Sequence, residues 1–254
     1  MKIHAFYFSP TGGTKKVLNI ILSVWDCEKY YYDLSDKSIC AENVKFEKDD
    51  FCVIAVPSFS GRVPQFVIPK LQGMKGNSVK AIMINTYGNR AFDDALLELK
   101  NTLEGSGFLC IAGIAAVTQH SVMPKYGMGR PDSQDIKQLK EFARRCKNLL
   151  AYATSAAKIP GNVPYRKYLS IPIKPRVNKM CNKCGACVKR CPVDAILPSK
   201  EYAVDKSKCI SCLQCIKICP KQARYISKFM QRLAEIKMKK LCETKKENYL
   251  YLPK

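Results

Sequence analysis

The pattern C-x-x-C-x-x-C-x-x-x-C-P occurs at Cys181 to Pro192 and again 28 positions later at Cys209 to Pro220. An exact repeat of this kind marks one small unit that has been duplicated. It gathers eight of the chain's fourteen cysteines into 39 residues. In a short secreted protein such a density reads as a disulfide framework, but here the spacing is that of metal ligands. The first fourteen residues also lack the basic start, apolar stretch and cleavage site of a signal peptide. Structural zinc pairs two CxxC units or adds histidines, which gives the third cysteine and the trailing Cys-Pro no role. A redox dithiol needs one CxxC alone. Three cysteines spaced by two residues let a tight loop wrap three corners of an iron-sulfur cube, and the fourth corner must come from elsewhere. Cys181, Cys184, Cys187, Cys191, Cys209, Cys212, Cys215 and Cys219 are therefore the expected cluster ligands.

Residues 178 to 226 resemble dicluster ferredoxins, including the Pro192 to Ile196 turn and the Tyr202 to Asp205 segment that leads into the second run. The resemblance implies two 4Fe-4S clusters that move single electrons. In that arrangement the last cysteine of each run serves the other cluster. Cys181, Cys184 and Cys187 would then act with Cys219, and Cys209, Cys212 and Cys215 with Cys191. Lys183, Lys189, Arg190, Lys208, Lys217 and Lys221 surround these ligands. Charge near a cluster helps set its potential, so potentials above those of acidic dicluster ferredoxins are expected. The six other cysteines, Cys27, Cys40, Cys52, Cys110, Cys146 and Cys242, are scattered and read as small hydrophobes or spare thiols.

With 254 residues the chain is long enough for a medium domain with a small one attached. A hydrophobic fraction of 47% and a charged fraction of 25% exclude disorder and fibrous repeats. No run approaches the roughly 18 apolar residues of a membrane span, and a cytoplasmic location is expected. The formal charge of +22 steers acidic partners towards the surface.

Residues 1 to 157 alternate strand and helix signals, the pattern of a parallel sheet covered on both faces. Strands are expected at Lys2 to Phe8, Lys29 to Leu34, Phe51 to Val56, Val79 to Asn85 and Phe108 to Val117. Helices are expected at Gly13 to Val24, Pro64 to Leu71, Ala91 to Gly105 and Asp132 to Ala157. Right-handed crossovers favour a doubly wound five-stranded parallel sheet of order 2-1-3-4-5. Residues 158 to 176 form a proline-rich linker, 177 to 226 a small α+β domain with the cysteines, and 227 to 254 a basic helix and tail.

In a sheet of this order, ligands sit beyond the carboxyl ends of the strands where the order reverses. After the first strand comes Ser9-Pro10-Thr11-Gly12-Gly13-Thr14, hydroxyls and glycines opening a helix, which suits a phosphate. Neither a Walker loop nor a G-x-G-x-x-G run is present. The Ser9, Thr11, Gly12, Gly13, Thr14 set resembles the phosphate loop of flavodoxins, and the resemblance implies bound FMN. It also places two flavin-ring loops, one at Ser58, Phe59, Ser60 and Gly61, the other at Thr86, Tyr87, Gly88 and Asn89. Phe59 and Tyr87 are the candidates for stacking on the ring, and the segment His120 to Asp132 is placed to close over it.

The whole chain resembles the fused flavodoxin/ferredoxin proteins of anaerobic bacteria, a likeness supported by Tyr87-Gly88-Asn89-Arg90 and by Pro160-Gly161-Asn162-Val163-Pro164-Tyr165. That implies electron transfer between FMN and two clusters, and on to or from a redox protein or flavin-linked enzyme with an acidic docking face. A nucleic-acid-binding protein with structural clusters is the alternative, against which stands the lack of any recognised DNA- or RNA-binding motif. Nucleic acid is therefore not an expected partner.

Overall fold

The computed structural model describes residues 1–253. Five parallel strands, β1 (Ile3–Tyr7), β2 (Lys29–Asp33), β3 (Phe51–Pro57), β4 (Lys80–Tyr87) and β5 (Leu109–Val117), stand in the order 2-1-3-4-5. The connections carry α1 (Gly13–Leu22), α2 (Val67–Gln72) and α3 (Ala95–Gly105), and α4 (Ser133–Tyr152) follows β5. β1, β3, β4 and β5 are buried on both faces, as central strands of a parallel sheet between helices must be, while the edge strand β2 exposes Tyr30 and Tyr31. On β1, Ile3, Ala5 and Tyr7 face one core with Val17, Leu18 and Ile21 of α1 and Leu139, Ala143 and Cys146 of α4. Phe6 faces the opposite core with Val67 and Leu71 of α2 and Leu96, Leu99 and Leu103 of α3. The expected fold is thus the observed one. Element ends differ by a few residues where local chemistry intervenes: Asp132 closes a capping box with Asp135 at the start of α4.

Beyond the linker, β6 (Arg176–Val177), α5 (Ala186–Lys189), β7 (Ile196–Leu197), β8 (Ala203–Val204), α6 (Gln214–Lys217) and β9 (Arg224–Tyr225) make the small α+β unit. β6 pairs with β9 and β7 with β8, both antiparallel. The chain continues into α7 (Lys228–Cys242) and β10 (Tyr249–Tyr251). Arg224 and Tyr225 are held in β9, and the Ser227 side chain caps the basic helix that follows.

β10 lies antiparallel on β5, Tyr249 opposite Ala115, and makes the sheet six-stranded. A three-residue edge strand gives no periodic signal in sequence. Its position is fixed by side chains instead. Asn248 accepts from Val117 N–H (2.8 Å) and donates to Asp135 (2.8 Å) and Gln138 (2.8 Å). Asp135 is ion-paired with Arg130, which also donates to the Lys246 carbonyl (2.9 Å). No described helix is long and apolar enough to cross a membrane.

The linker is pinned along its length. Asp94 accepts from the backbone of Asn162 (2.9 Å) and Arg166 (2.7 Å), while Ser60 donates to the Leu169 carbonyl (2.9 Å). The small unit docks on the β2 end of the sheet through Arg190–Asp33 (2.9 Å), Lys37–Asp194 and a buried Gln214–Ser35 hydrogen bond (3.0 Å).

Candidate functional site

The two cysteine runs fold alike. Lys183 and Ser211 both adopt φ of 56°, Gly185 (75°) and Leu213 (63°) both cap a one-turn helix, and Asp194 (51°) and Gln222 (49°) both close the turn. Left-handed residues between the cysteines fold each run into a sharp, nest-like turn. The amides of Ala195, Ser211 and Ala223 donate to the sulfurs of Cys191 (3.3 Å), Cys209 (3.4 Å) and Cys219 (3.3 Å).

The sulfurs fall into two groups that cross between the runs. Cys181, Cys184, Cys187 and Cys219 line one small pocket with Tyr202 and Arg224. Cys209, Cys212 and Cys215 gather with Cys191: burial pushes the Cys212 thiol up to about 12, and the neighbouring thiols of Cys215, Cys191 and Cys209 add to that rise. Cys215 is likewise raised to about 12 by burial. A buried thiol cluster of this kind is unfavourable as free thiolate and becomes so only by binding metal, which deprotonates it outright. The nearest buried cation, Arg224, has its Nε and Nη1 groups without a hydrogen-bond partner. Cationic donors without protein acceptors, placed against cysteines, fit a group that carries negative charge.

At the carboxyl end of the sheet lies a cavity of about 400 Å³, within the range of cofactor sites. Of the residues expected there, Thr11, Gly13, Thr14, Ser58, Phe59, Ser60, Gly61, Thr86, Tyr87 and Gly88 line it. The Thr14 and Thr86 hydroxyls are joined at 2.8 Å, which ties the first loop to the third. Ser9, Gly12 and Asn89, the other residues expected there, stand outside that wall. The Ser9 hydroxyl accepts from Lys15 N–H (2.9 Å) at the start of α1, and Gly12 (φ 96°) serves the turn. Asn89 holds the C-terminal segment, donating to the carbonyls of Cys242 (2.6 Å) and Thr244 (3.1 Å) and accepting from Lys246 N–H (3.1 Å).

The rest of the cavity wall was not foreseen beyond the segment from His120 onwards. Thr118 to Met123 form one side, with Thr11 hydrogen-bonded to Ser121 (3.0 Å). His120 accepts at Nδ1 from the amides of Val122 and Met123 (both 3.2 Å), and burial lowers its pKa to about 4, which leaves a neutral ring with Nε2–H as donor. The linker residues 169–173, Ser211 of the second cysteine loop, and Ala234, Lys237 and Met238 of α7 complete it. None of these residues is itself a motif position, and only the docking of the small unit on the sheet assembles them. Next to the Ser58 to Gly61 loop, Arg62 is bound to Glu98 by two hydrogen bonds (2.8 and 2.6 Å) and supports the loop from behind.

Gly61 is required by this geometry. Its φ is +81°, and an added Cβ would stand 2.1 Å from the Asp93 carboxylate and 2.6 Å from Arg166. Gly61→Ala is expected to cost about 2 kcal/mol, from the left-handed conformation and the displaced Asp93 and Arg166 together. A urea unfolding midpoint unchanged from the parent protein would refute that account.

Residues 180–223 match the family described as 4Fe-4S dicluster domain. No curated protein matches the chain. Solved structures similar to residues of the larger domain include flavodoxin 2 of Bacillus cereus, 15% identical, TM-score 0.47, covering 58% of this chain and 99% of that one. The flavodoxin of Streptococcus pneumoniae TIGR4 is 13% identical, TM-score 0.41, and covers 58% of this chain and 99% of its own. An apo NADH:FMN oxidoreductase is 16% identical, TM-score 0.44, with 61% and 91% coverage. The observed strand order and the matched cysteine domain define the class: a flavodoxin-like domain fused to a 4Fe-4S dicluster ferredoxin domain.

Proposed function

We propose that this protein carries electrons between an FMN bound in the cavity and two 4Fe-4S clusters, and on to or from an external redox partner. The observation that carries this reading is Ser211, which lies between Cys209 and Cys212 and forms part of the cavity wall. Ile210 and Cys212 also pack against the core of the larger domain. The cluster held by Cys191, Cys209, Cys212 and Cys215 is therefore the inner one. That held by Cys181, Cys184, Cys187 and Cys219 is the outer one, with Cys184 exposed.

Bound flavin exchanges electrons in pairs or singly, and each cluster takes one at a time. The chain's own residues supply the rest. The Thr11 to Thr14 turn offers hydroxyls and amides at a helix N-terminus for the phosphate. Phe59, Tyr87, Gly88 and His120 surround the space for the ring, and the linker and α7 exclude water from above. Among the described residues the cavity is lined by Arg90 and Lys237 but by no carboxylate, which favours an anionic ligand.

The partner's docking face would be acidic. α7 presents Phe229, Leu233 and Ile236 on its exposed side, with Lys228, Arg232 and Lys240 around them, while Ala234, Lys237 and Met238 reach the cavity. An acidic redox protein seated there would lie about one helix diameter, roughly 10 Å, from the flavin, and added salt would slow its reaction.

Anaerobic purification is expected to yield a brown protein with about eight iron, eight sulfide and one FMN per chain. Redox titration of the same sample is expected to give cluster potentials above those of acidic dicluster ferredoxins. Zinc in place of iron, or a colourless chain, would end this reading.

A further inference from the structure

The 28-residue repeat is kept closely in its cysteines and loop conformations, but at one position that is buried in both copies an apolar side chain in the first corresponds to a charged one in the second. Ile196, five residues after Cys191, is 5% exposed and apolar. Its counterpart five residues after Cys219 is Arg224, 3% exposed. Both follow a small residue, Ala195 or Ala223, whose amide donates to the sulfur of the Cys-Pro cysteine. Arg224 thus occupies what the other half of the domain shows to be an apolar core position.

A guanidinium in such a place is costly unless paired. Arg224 has one hydrogen bond, from Nη2 to the Tyr202 carbonyl (2.5 Å), and Nε and Nη1 have none. No carboxylate pairs with it among the described residues. Its side chain lines the pocket of Cys181, Cys184, Cys187 and Cys219. The available counter-charge is the thiolate-ligated iron itself. Tyr202 reinforces the placement, since its hydroxyl donates to the Lys183 carbonyl (2.9 Å) within the first cysteine loop.

We propose that Arg224 is the buried counter-cation of the outer cluster, and that it raises the potential of that cluster relative to the inner one. Reduction adds one electron and no proton, so the cluster becomes more negative by one unit, and a fixed cation at its edge favours that state. The inner cluster has apolar Ile196 at the equivalent place. Electrons arriving from the flavin side would then rest on the outer cluster, where a partner can collect them. This inference rests on the two-cluster reading above.

The test uses full-length protein purified anaerobically with both clusters, titrated with dithionite while each cluster is followed by electron paramagnetic resonance. Arg224→Met, which keeps much of the volume but removes the charge, is expected to lower the outer cluster's reduction equilibrium constant about tenfold, or about 59 mV for one electron. Arg224→Lys, which keeps the charge, is expected to stay within about threefold of the parent, about 28 mV on the same scale. If Arg224→Met instead loses the outer cluster during purification while Arg224→Lys retains it, the counter-cation role also stands, since charge and not shape decides. Equal behaviour of the two variants, or an unchanged potential in Arg224→Met, overturns it. Absence of iron from the parent protein would instead remove the two-cluster reading itself, and this inference with it.

Discussion

Replacing Cys191 and Cys212 together with alanine will leave about four iron atoms per chain, whereas replacing Cys191 and Cys184 together will leave none. The reason is the crossing of the two runs. Cys191 belongs by sequence to the first run, yet it stands among Cys209, Cys212 and Cys215, and Cys219 of the second run lines the pocket of Cys181, Cys184 and Cys187. Two ligands lost from one cluster remove one cube; one ligand lost from each removes both. If each run served its own cluster, the two outcomes would be exchanged, so iron analysis of two double variants decides the assignment. The Cys191 and Cys212 variant carries a functional consequence as well. Its remaining outer cluster should still be reduced by dithionite, but no longer by reduced flavin, because the cluster beside Ser211 and the cavity is gone.

Asn248→Ala is expected to lower stability by about 3 kcal/mol, seen as a fall in Tm of about 6–12 °C for a chain of this size. Asn248 is 4% exposed and makes three hydrogen bonds at one point of the sheet edge. Its removal leaves the Val117 amide buried without an acceptor and takes a donor from Asp135. Burial works against the Asp135 charge, but donors from Arg130, Asp132 and Asn248 hold its carboxyl below the usual carboxylate range. The loss also reaches the cavity, because the same tail is gripped by Asn89 and by the Tyr87 hydroxyl, which donates to the Glu247 carbonyl (2.5 Å). A weaker hold on added FMN should accompany the lower Tm. A change in Tm below about 1 °C would show that the tail is not a structural part of the domain.

The parallel sheet was legible because strands buried on both faces leave continuous apolar runs such as Phe51 to Val56, and because right-handed crossovers leave few orders to choose from. The phosphate-loop hydroxyls and both ring loops were legible for a related reason: the switch point of such a sheet is fixed once its order is known. The cysteine runs were legible because metal ligation demands particular residues at particular spacings. The partner of Asn89 was not visible in sequence; an asparagine beside a ring loop serves a ligand or a backbone equally well, and here the tail from Cys242 to Lys246 takes its side-chain hydrogen bonds.

Local pattern therefore determined the parallel sheet, the repeated cysteine runs and the loops at the sheet's switch point. Contacts between segments far apart in the chain decided the rest: the addition of β10 to the sheet, the roof made by the linker, Ser211 and α7, and the burial of Arg224 where its repeat partner is Ile196. Periodicity and spacing report how a segment meets water or a metal. They carry no record of which distant surface will cover it, since that is set by the summed burial and hydrogen bonding of the folded chain.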